Sequence, residues 1–305
     1  MPGKAPCGFL NVNKPAGPTS NDIVEDIRGV LGARCGHAGT LDPRAEGVLV
    51  LGVGEARKFI TYLNHDKEYE AVMRLGQEST TIDLAGELSP PRPVTATPEE
   101  IRAAGTGLAG ELELPVPAFS AVHVDGKRLY ELARAGAAVN PPVRKCTVRA
   151  LEVVSIDIPR VRFRVSCTGG TYVRSIVAEW GRQMGCGALL ETLVRTRSGP
   201  FTIADSRTPE EIRALAGKGA GADALVPLAR GLAELLPVEF DEAGLASLRH
   251  GRNTPVAPGA ANPGALVLLT GAGGGIIGVG RIISGDSGAL AAVPERLIAE
   301  GMEVS

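Results

Sequence analysis

Residues 160–165, RVRFRV, set the tightest limit on what this chain can fold into. Arg160, Arg162 and Arg164 alternate with Val161, Phe163 and Val165. A period of two is a strand period, with one apolar and one charged face. The strand therefore belongs to a sheet with at least one covered side. Its arginine face has two possible uses. It faces solvent, or it presents positive charge to a ligand.

Other segments extend this mixed pattern. In TSNDIVEDIRGVLG (19–32), Ile23, Val24, Ile27, Val30 and Leu31 share a helical face. Thr19 with Asp22 resembles a capping box, and Gly32 suits the stop. Residues 35–47 read as a loop, 47–54 as a buried strand and 68–76 as a further strand. The proline-rich 88–98 is a connection, and a short helix restarts at Pro98. Residues 171–185 read as a helix with Ile176, Val177, Trp180 and Met184 on one side. An Ala/Gly-rich stretch at 214–225 marks a change of composition. After about residue 236 come short apolar runs, 265–270 and 276–283, separated by glycines, the pattern of a small β-rich unit.

A length of 305 residues suits about two domains. No run reaches the ~18 apolar residues of a membrane span. The N-terminus, MPGKAPCGFLNVNKP, has no signal-peptide core. Five cysteines form no C-x-x-C pair, which points to reduced thiols, a cytoplasmic setting and no zinc site. The net charge of −2 hides an asymmetry. Residues 116–200 carry 13 Lys/Arg against 6 Asp/Glu, a net of +7 between two acidic flanks. That is either a solvated mixed surface or the local footprint of a polyanion partner.

Two motifs invite chemistry. Gly273, Gly275 and Gly278 match G-x-G-x-x-G. A dinucleotide site needs a helix to open there. The β-branched IIGVGRII that follows predicts a hairpin instead. The second motif is CGHAGTLDPRAEG (35–47). Asp42 precedes Pro43, which holds it away from the α region, and glycines at 36, 39 and 47 permit sharp turns. Asp42 is then either an Asx-turn former or a carboxylate exposed in a cleft. His37 taken alone reads as a structural hydrogen-bonder.

Five segments in order narrow these choices: NKPAGPTSNDIV (13–24), GHAGTLDPRAEGVLVLGVGEARK (36–58), KEYEAVMRLG with Ser79, Thr81, Asp83 and Gly86, PAFSAVHVDGKRLYELARAG (117–136) and CTGGTYVRSIVAEWG (167–181). Together they resemble the bacterial TruB-type tRNA pseudouridine synthases, which isomerise uridine 55 in the T loop. The resemblance covers roughly residues 8–201, and 36–47 and 167–181 are its most specific parts. It implies an α+β fold: a mixed, largely antiparallel sheet flanked by helices, with a small β-rich, PUA-like C-terminal domain. The implied division is a catalytic domain over 1–235, with an RNA-gripping insertion at about 117–145, and an RNA-binding domain over 236–305.

Carried over residue by residue, the resemblance makes Asp42 the nucleophile and pairs it with Arg174. Tyr69 packs on the target base and takes part in proton transfer. Tyr172 and Leu193 line the pocket, and His37 fills the space that the flipped uridine leaves in the RNA. Lys127, Arg128 and Arg134 fall in the insertion and are candidate RNA contacts. Two positions depart from the family pattern. Val116 stands where a proline is usual, and His123 where a lysine is.

The chemistry is compatible with these residue types. Breaking N1–C1′ and rejoining through C5 needs a carboxylate and a group that moves a proton. Asp42 can act at C1′, at C6 or in proton abstraction. Unstacking a uridine costs a few kcal/mol, and stacking on Tyr69 returns roughly 1–3 kcal/mol. The expected partner is the T stem-loop of tRNA. No cofactor, metal, membrane or obligate protein partner is implied, and the chain is expected to be a monomer. Three alternatives stand beside this reading: an RNA-remodelling protein on the same fold, a nucleotide-cofactor enzyme using residues 273–278, and a synthase acting on another RNA or position.

Overall fold

The computed structural model describes residues 6–124, 126–135, 140–257, 259–285 and 288–298. The chain opens with β1 (Gly8–Lys14), α1 (Ser20–Leu31), a short β2 (Cys35–His37) and β3 (Glu46–Val53). A 3-10 helix, Gly54–Tyr62, leads to β4 (Lys67–Leu75). The proline-rich connection then reaches α2 (Pro98–Gly107) and β5 (Gly110–Pro115). A small hairpin follows, β6 (His123–Val124) with β7 (Lys127–Arg128), then α3 (Leu129–Arg134). The long pair β8 (Val143–Asp157) and β9 (Arg160–Cys167) precedes α4 (Val173–Gln183), β10 (Ala188–Ser198) and β11 (Phe201–Thr202). Helices α5 (Pro209–Gly217) and α6 (Leu228–Gly231) carry the chain to β12 (Leu236–Phe240), α7 (Glu242–Arg249), β13 (Thr254–Pro255), β14 (Leu266–Gly271), β15 (Ile276–Ser284) and β16 (Leu290–Leu297).

The first sheet runs β1-β3-β10-β4-β9-β8-β5, with β2 added to β3 and β11 to β10. Its neighbours are antiparallel except for β3 and β10. The second sheet runs β12-β14-β15-β16-β13. The fold is thus α+β with a β-rich C-terminal part. Among the described residues, no helix is long and apolar enough to cross a membrane.

Local signals account for most elements. Thr19 caps α1 in a reciprocal capping box with Asp22, and Gly32 ends it in the left-handed region, φ 60°. Residues of β3 are buried on both faces because the sheet is covered on both sides there. Leu49, Leu51 and Val53 point into the core under α1, α2 and α4. Val48 and Val50 join Phe9, Phe59 and Phe201 in a second core that also includes Leu268 and Val279 of the second sheet. Trp180 on α4 is fully buried in the first core. Its Nε1–H donates to the Ile101 carbonyl at 3.1 Å, and its ring meets Phe163 edge-on, 5.4 Å between centroids.

One expectation needs correction, one open choice is settled, and one expectation holds. The 35–47 stretch is not all loop, because Cys35–His37 pairs with Leu51–Val53 as β2. The arginine stripe of β9 does not offer free positive charge. Arg164 and Arg162 reach Glu70 on β4 at 2.8 and 3.1 Å, and Arg160 reaches Glu191 on β10 at 2.8 Å. Glu70 on the adjacent β4, Glu152 on the adjacent β8 and Glu191 one strand further on β10 offset much of the stripe's charge on the sheet's outer face. The 273–278 glycines join β14 to β15 as a hairpin, and no helix follows them. The pyrophosphate-binding geometry is therefore missing there.

Candidate active site

A cleft of about 440 Å³ opens where the 38–42 loop, the start of β4, residues 120–121 and the start of α4 converge. Asp42, Tyr69, Tyr172, Arg174 and Leu193 all line it, together with His65, Lys67 and Ser120.

The Asp42 loop is held from several directions by chain segments far apart in sequence. Strand β3 has β1 along one edge. Its other edge is shared between β2 at Leu51–Val53 and β10 at Glu46–Gly47. Residues 38–45 bridge that gap. Ser20 on α1 donates to the Leu41 carbonyl and accepts from the Leu41 N–H, both at 2.8 Å. Lys14, fully buried, donates to the carbonyls of Pro15 and Pro43 at 2.8 and 3.0 Å. Arg195 on β10, 2 % exposed, donates to the carbonyls of Val48, Thr40 and Gly39 at 2.6, 3.2 and 3.2 Å. Gly47 makes this approach possible. It sits at φ 98°, and a Cβ there would lie 2.3 Å from the Arg195 carbonyl oxygen.

The two readings of Asp42 are separated by its contacts. The turn is closed by main chain, with the Ala45 N–H donating to the Asp42 carbonyl at 3.0 Å. The carboxylate instead meets Arg174, Oδ2 to Nε, at 2.9 Å. The Arg174 side chain is 4 % exposed and that of Asp42 is 35 % exposed. Nε makes no aligned hydrogen bond, so the contact is coulombic. Arg174 spends its other donors on main chain. Nη1 donates to the Thr81 carbonyl, and Nη1 and Nη2 both donate to the Phe119 carbonyl, each at 3.1 Å. Its guanidinium is thereby fixed before any ligand arrives.

Tyr69 lies on the inner face of β4, opposite Val165 of β9 and Arg195 of β10. Burial pushes its phenol up to about 12, so it is neutral at physiological pH. Leu193, opposite Ala71, supplies an apolar wall. Tyr172 is the residue that opens α4. Ser120 is buried, and its hydroxyl has no partner among the described residues. Burial, then Arg195, lowers the Lys67 amine to about 8, and burial lowers Lys14 likewise to about 8.

His37 stands apart from this group. It ends β2 opposite Leu51, half-buried, one residue before the first residue lining the cleft. Burial, then Arg195, lowers its pKa, so its imidazole is neutral, and it lies outside the residues that line the cleft with Asp42. Lys127 and Arg128 are exposed on the β6–β7 hairpin, which begins just after the cleft-lining Ala121. Arg128 donates to the Tyr130 hydroxyl at 3.3 Å. The side chain of Arg134 lies outside the described residues. Among the described residues, no group of three or more His, Cys, Asp or Glu side chains is placed to hold a metal ion.

The sequence reading missed Lys14, Ser20, Lys67, Ser120 and Arg195. A lysine two positions before Tyr69 on a period-two strand must share its face, which was the available signal for Lys67. Lys14 and Arg195 carry no such signal, because charged side chains are normally read as exposed.

Comparison with known proteins places this arrangement in a family. Residues 28–173 match the model for the N-terminal domain of TruB family pseudouridylate synthases. The chain is 39% identical over 298 residues to tRNA pseudouridine synthase B of Pseudomonas fluorescens, covering 95% of each. It is 40% identical over 294 residues to the enzyme of that name from Thiobacillus denitrificans, covering 96% of each. Its fold is shared with a chain of an H/ACA RNP bound to a substrate RNA containing 2′-deoxyuridine. There the TM-score is 0.74 and the identity 24%, over 96% of this chain and 85% of that one. The chain belongs to the TruB family of pseudouridylate synthases.

Proposed function

We propose that this chain is a tRNA pseudouridine synthase that isomerises uridine 55 in the T loop. The names of its relatives support the reaction. The observation that carries the reading is Asp42, held against Arg174 in a cleft walled by Tyr69, Tyr172 and Leu193.

The chemistry follows from those groups. The target uridine leaves the stack and enters the cleft, and Tyr69 stacks on its base. The Asp42 carboxylate is the nucleophile. Arg174 keeps a positive charge beside it, and the anchored loop holds its direction. The N1–C1′ bond breaks, the base turns, and C5 bonds to C1′. C5 gives up its proton and N1 gains one, so the reaction is an isomerisation with no redox change. Burial keeps Tyr69 a neutral hydroxyl in the free protein, which suits stacking and proton relay.

In this reading residues 1–235 are the catalytic domain. The insertion at about 117–145 grips RNA through Lys127, Arg128 and Arg134, and 236–305 is a PUA-like RNA-binding domain. His37, beside the cleft, wedges the RNA where the uridine has left. The enzyme works as a monomer in the cytoplasm on the T stem-loop. Replacing Asp42 with Asn tests the reading. Tritium release from a T-arm RNA carrying 5-tritiated uridine should cease while RNA binding persists. Full activity in that variant would sink the nucleophile role.

A further inference from the structure

The cleft holds two cations, and they are committed differently. Arg174 faces Asp42 and donates to two main-chain carbonyls. Lys67 sits on the same strand face as Tyr69, two residues away, and is 7 % exposed. Its amine donates to the His65 carbonyl at 2.8 Å, which leaves two of its three N–H groups. Its chain end lies beside Gly39, where an added Cβ would sit 3.5 Å from Cε and 3.7 Å from Nζ. These are ordinary van der Waals distances, so the amine lies directly against the Gly39 backbone of the Asp42 loop.

We propose that Lys67 is a catalytic residue that donates a hydrogen bond to a carbonyl oxygen of the flipped uracil. The proposal rests on the pseudouridine-synthase reading. Charge at that oxygen rises by either route open to Asp42. If Asp42 bonds to C1′, the electron pair of the breaking N1–C1′ bond passes to the base and spreads onto its carbonyl oxygens. If Asp42 adds at C6, the electrons of the C5–C6 bond move towards the C4 carbonyl and form an enolate. An ammonium fixed in a dry site stabilises either anion. Burial argues against the alternative of a phosphate contact, because phosphates stay hydrated at a cleft mouth whereas Lys67 is enclosed by its walls.

The charged and titratable groups around the amine are Arg195 on β10, Cys167 on β9, and His65 and Asp66 just before β4. The amine is charged below about pH 8 and neutral above, which places a falling limb in the wild-type rate. Cys167, raised to about 11, stays protonated across that limb. Lys14, which donates to Pro43 in the same loop, also titrates near 8.

The test uses the full chain and a tRNA transcript under single turnover. Lys67→Met should slow pseudouridine formation roughly 100-fold, the typical loss of one preorganised donor. The affinity for tRNA and its dependence on salt should be unchanged. Lys67→Arg should retain a measurable rate and lose the falling limb in kcat/KM, because a guanidinium stays charged. Thermal midpoints of both variants report folding, and if Lys67→Met does not fold, the pH profile of Lys67→Arg decides. A Lys67→Met rate within about threefold of wild type would overturn the proposal, as would a limb that stays in Lys67→Arg and so belongs to Lys14. A salt slope lower by about one would overturn it too, by making Lys67 a phosphate contact. Wild-type protein that forms no pseudouridine would instead sink the reading on which the proposal rests.

Discussion

Arg174–Asp42 and Arg164–Glu70 lie at nearly the same Nε–O distance, 2.9 and 2.8 Å, on opposite sides of one sheet, and only the second is an aligned hydrogen bond. The first arginine is 4 % exposed and the second 54 %. On the outer face, Arg164 and then Arg162 hold the Glu70 carboxyl below the usual carboxylate range, while water and salt screen the pair. On the cleft side the guanidinium is enclosed and tied to main chain, so it cannot turn away. Distance alone does not separate an ion pair held in a cleft from a surface one. The freedom of the partners does.

Three substitutions would break or sharpen that contrast. Arg174→Met should have the largest effect. Removing the guanidinium leaves the Thr81 and Phe119 carbonyls without their donor, at about 2 kcal/mol, and the rate should fall by roughly two to three orders of magnitude as Asp42 loses its fixed counter-charge. Urea unfolding and single-turnover assays read the two. If stability falls and the rate holds, Arg174 is structural only. Arg195→Met comes next, since it removes the donors to the carbonyls at 39, 40 and 48. It should cost about 2 kcal/mol and slow the reaction roughly tenfold or more through a loosened loop, with tRNA affinity little changed. Arg164→Ala should do least, within about 0.5 kcal/mol of wild type and with unaltered activity. If filter binding shows that Arg164→Ala weakens tRNA affinity, the stripe does serve a ligand and the contrast between the faces collapses.

Much of this was legible in the residues. The capping box of Thr19 and Asp22, the period of β9 and the glycine hairpin at 271–275 are local signals that tertiary packing did not override. The cleft residues Asp42, Tyr69, Tyr172, Arg174 and Leu193 were found by family resemblance, and the fold brings them together. The residues that hold Asp42 in place were not legible. Lys14 and Arg195 satisfy carbonyls in segments whose spatial neighbours no local pattern reveals. The neutralising partners of the arginine stripe, Glu70 and Glu191, lie about 90 and 30 positions away on other strands. The brevity of β2 hid it inside what reads as a glycine loop.

The parallel pair β3–β10 also bears on when the protein becomes an enzyme. Arg195 reaches the loop carbonyls across 147, 155 and 156 positions of chain. Contacts of such separation form late, after the entropy of closing a long loop has been overcome. During synthesis, Asp42 leaves the ribosome long before the strand that secures it. A partly made chain would therefore display the Asp42 carboxylate without its brace. Catalytic competence would then arrive together with completion of the sheet, and half-built protein would be kept from acting on RNA by the order in which it is made.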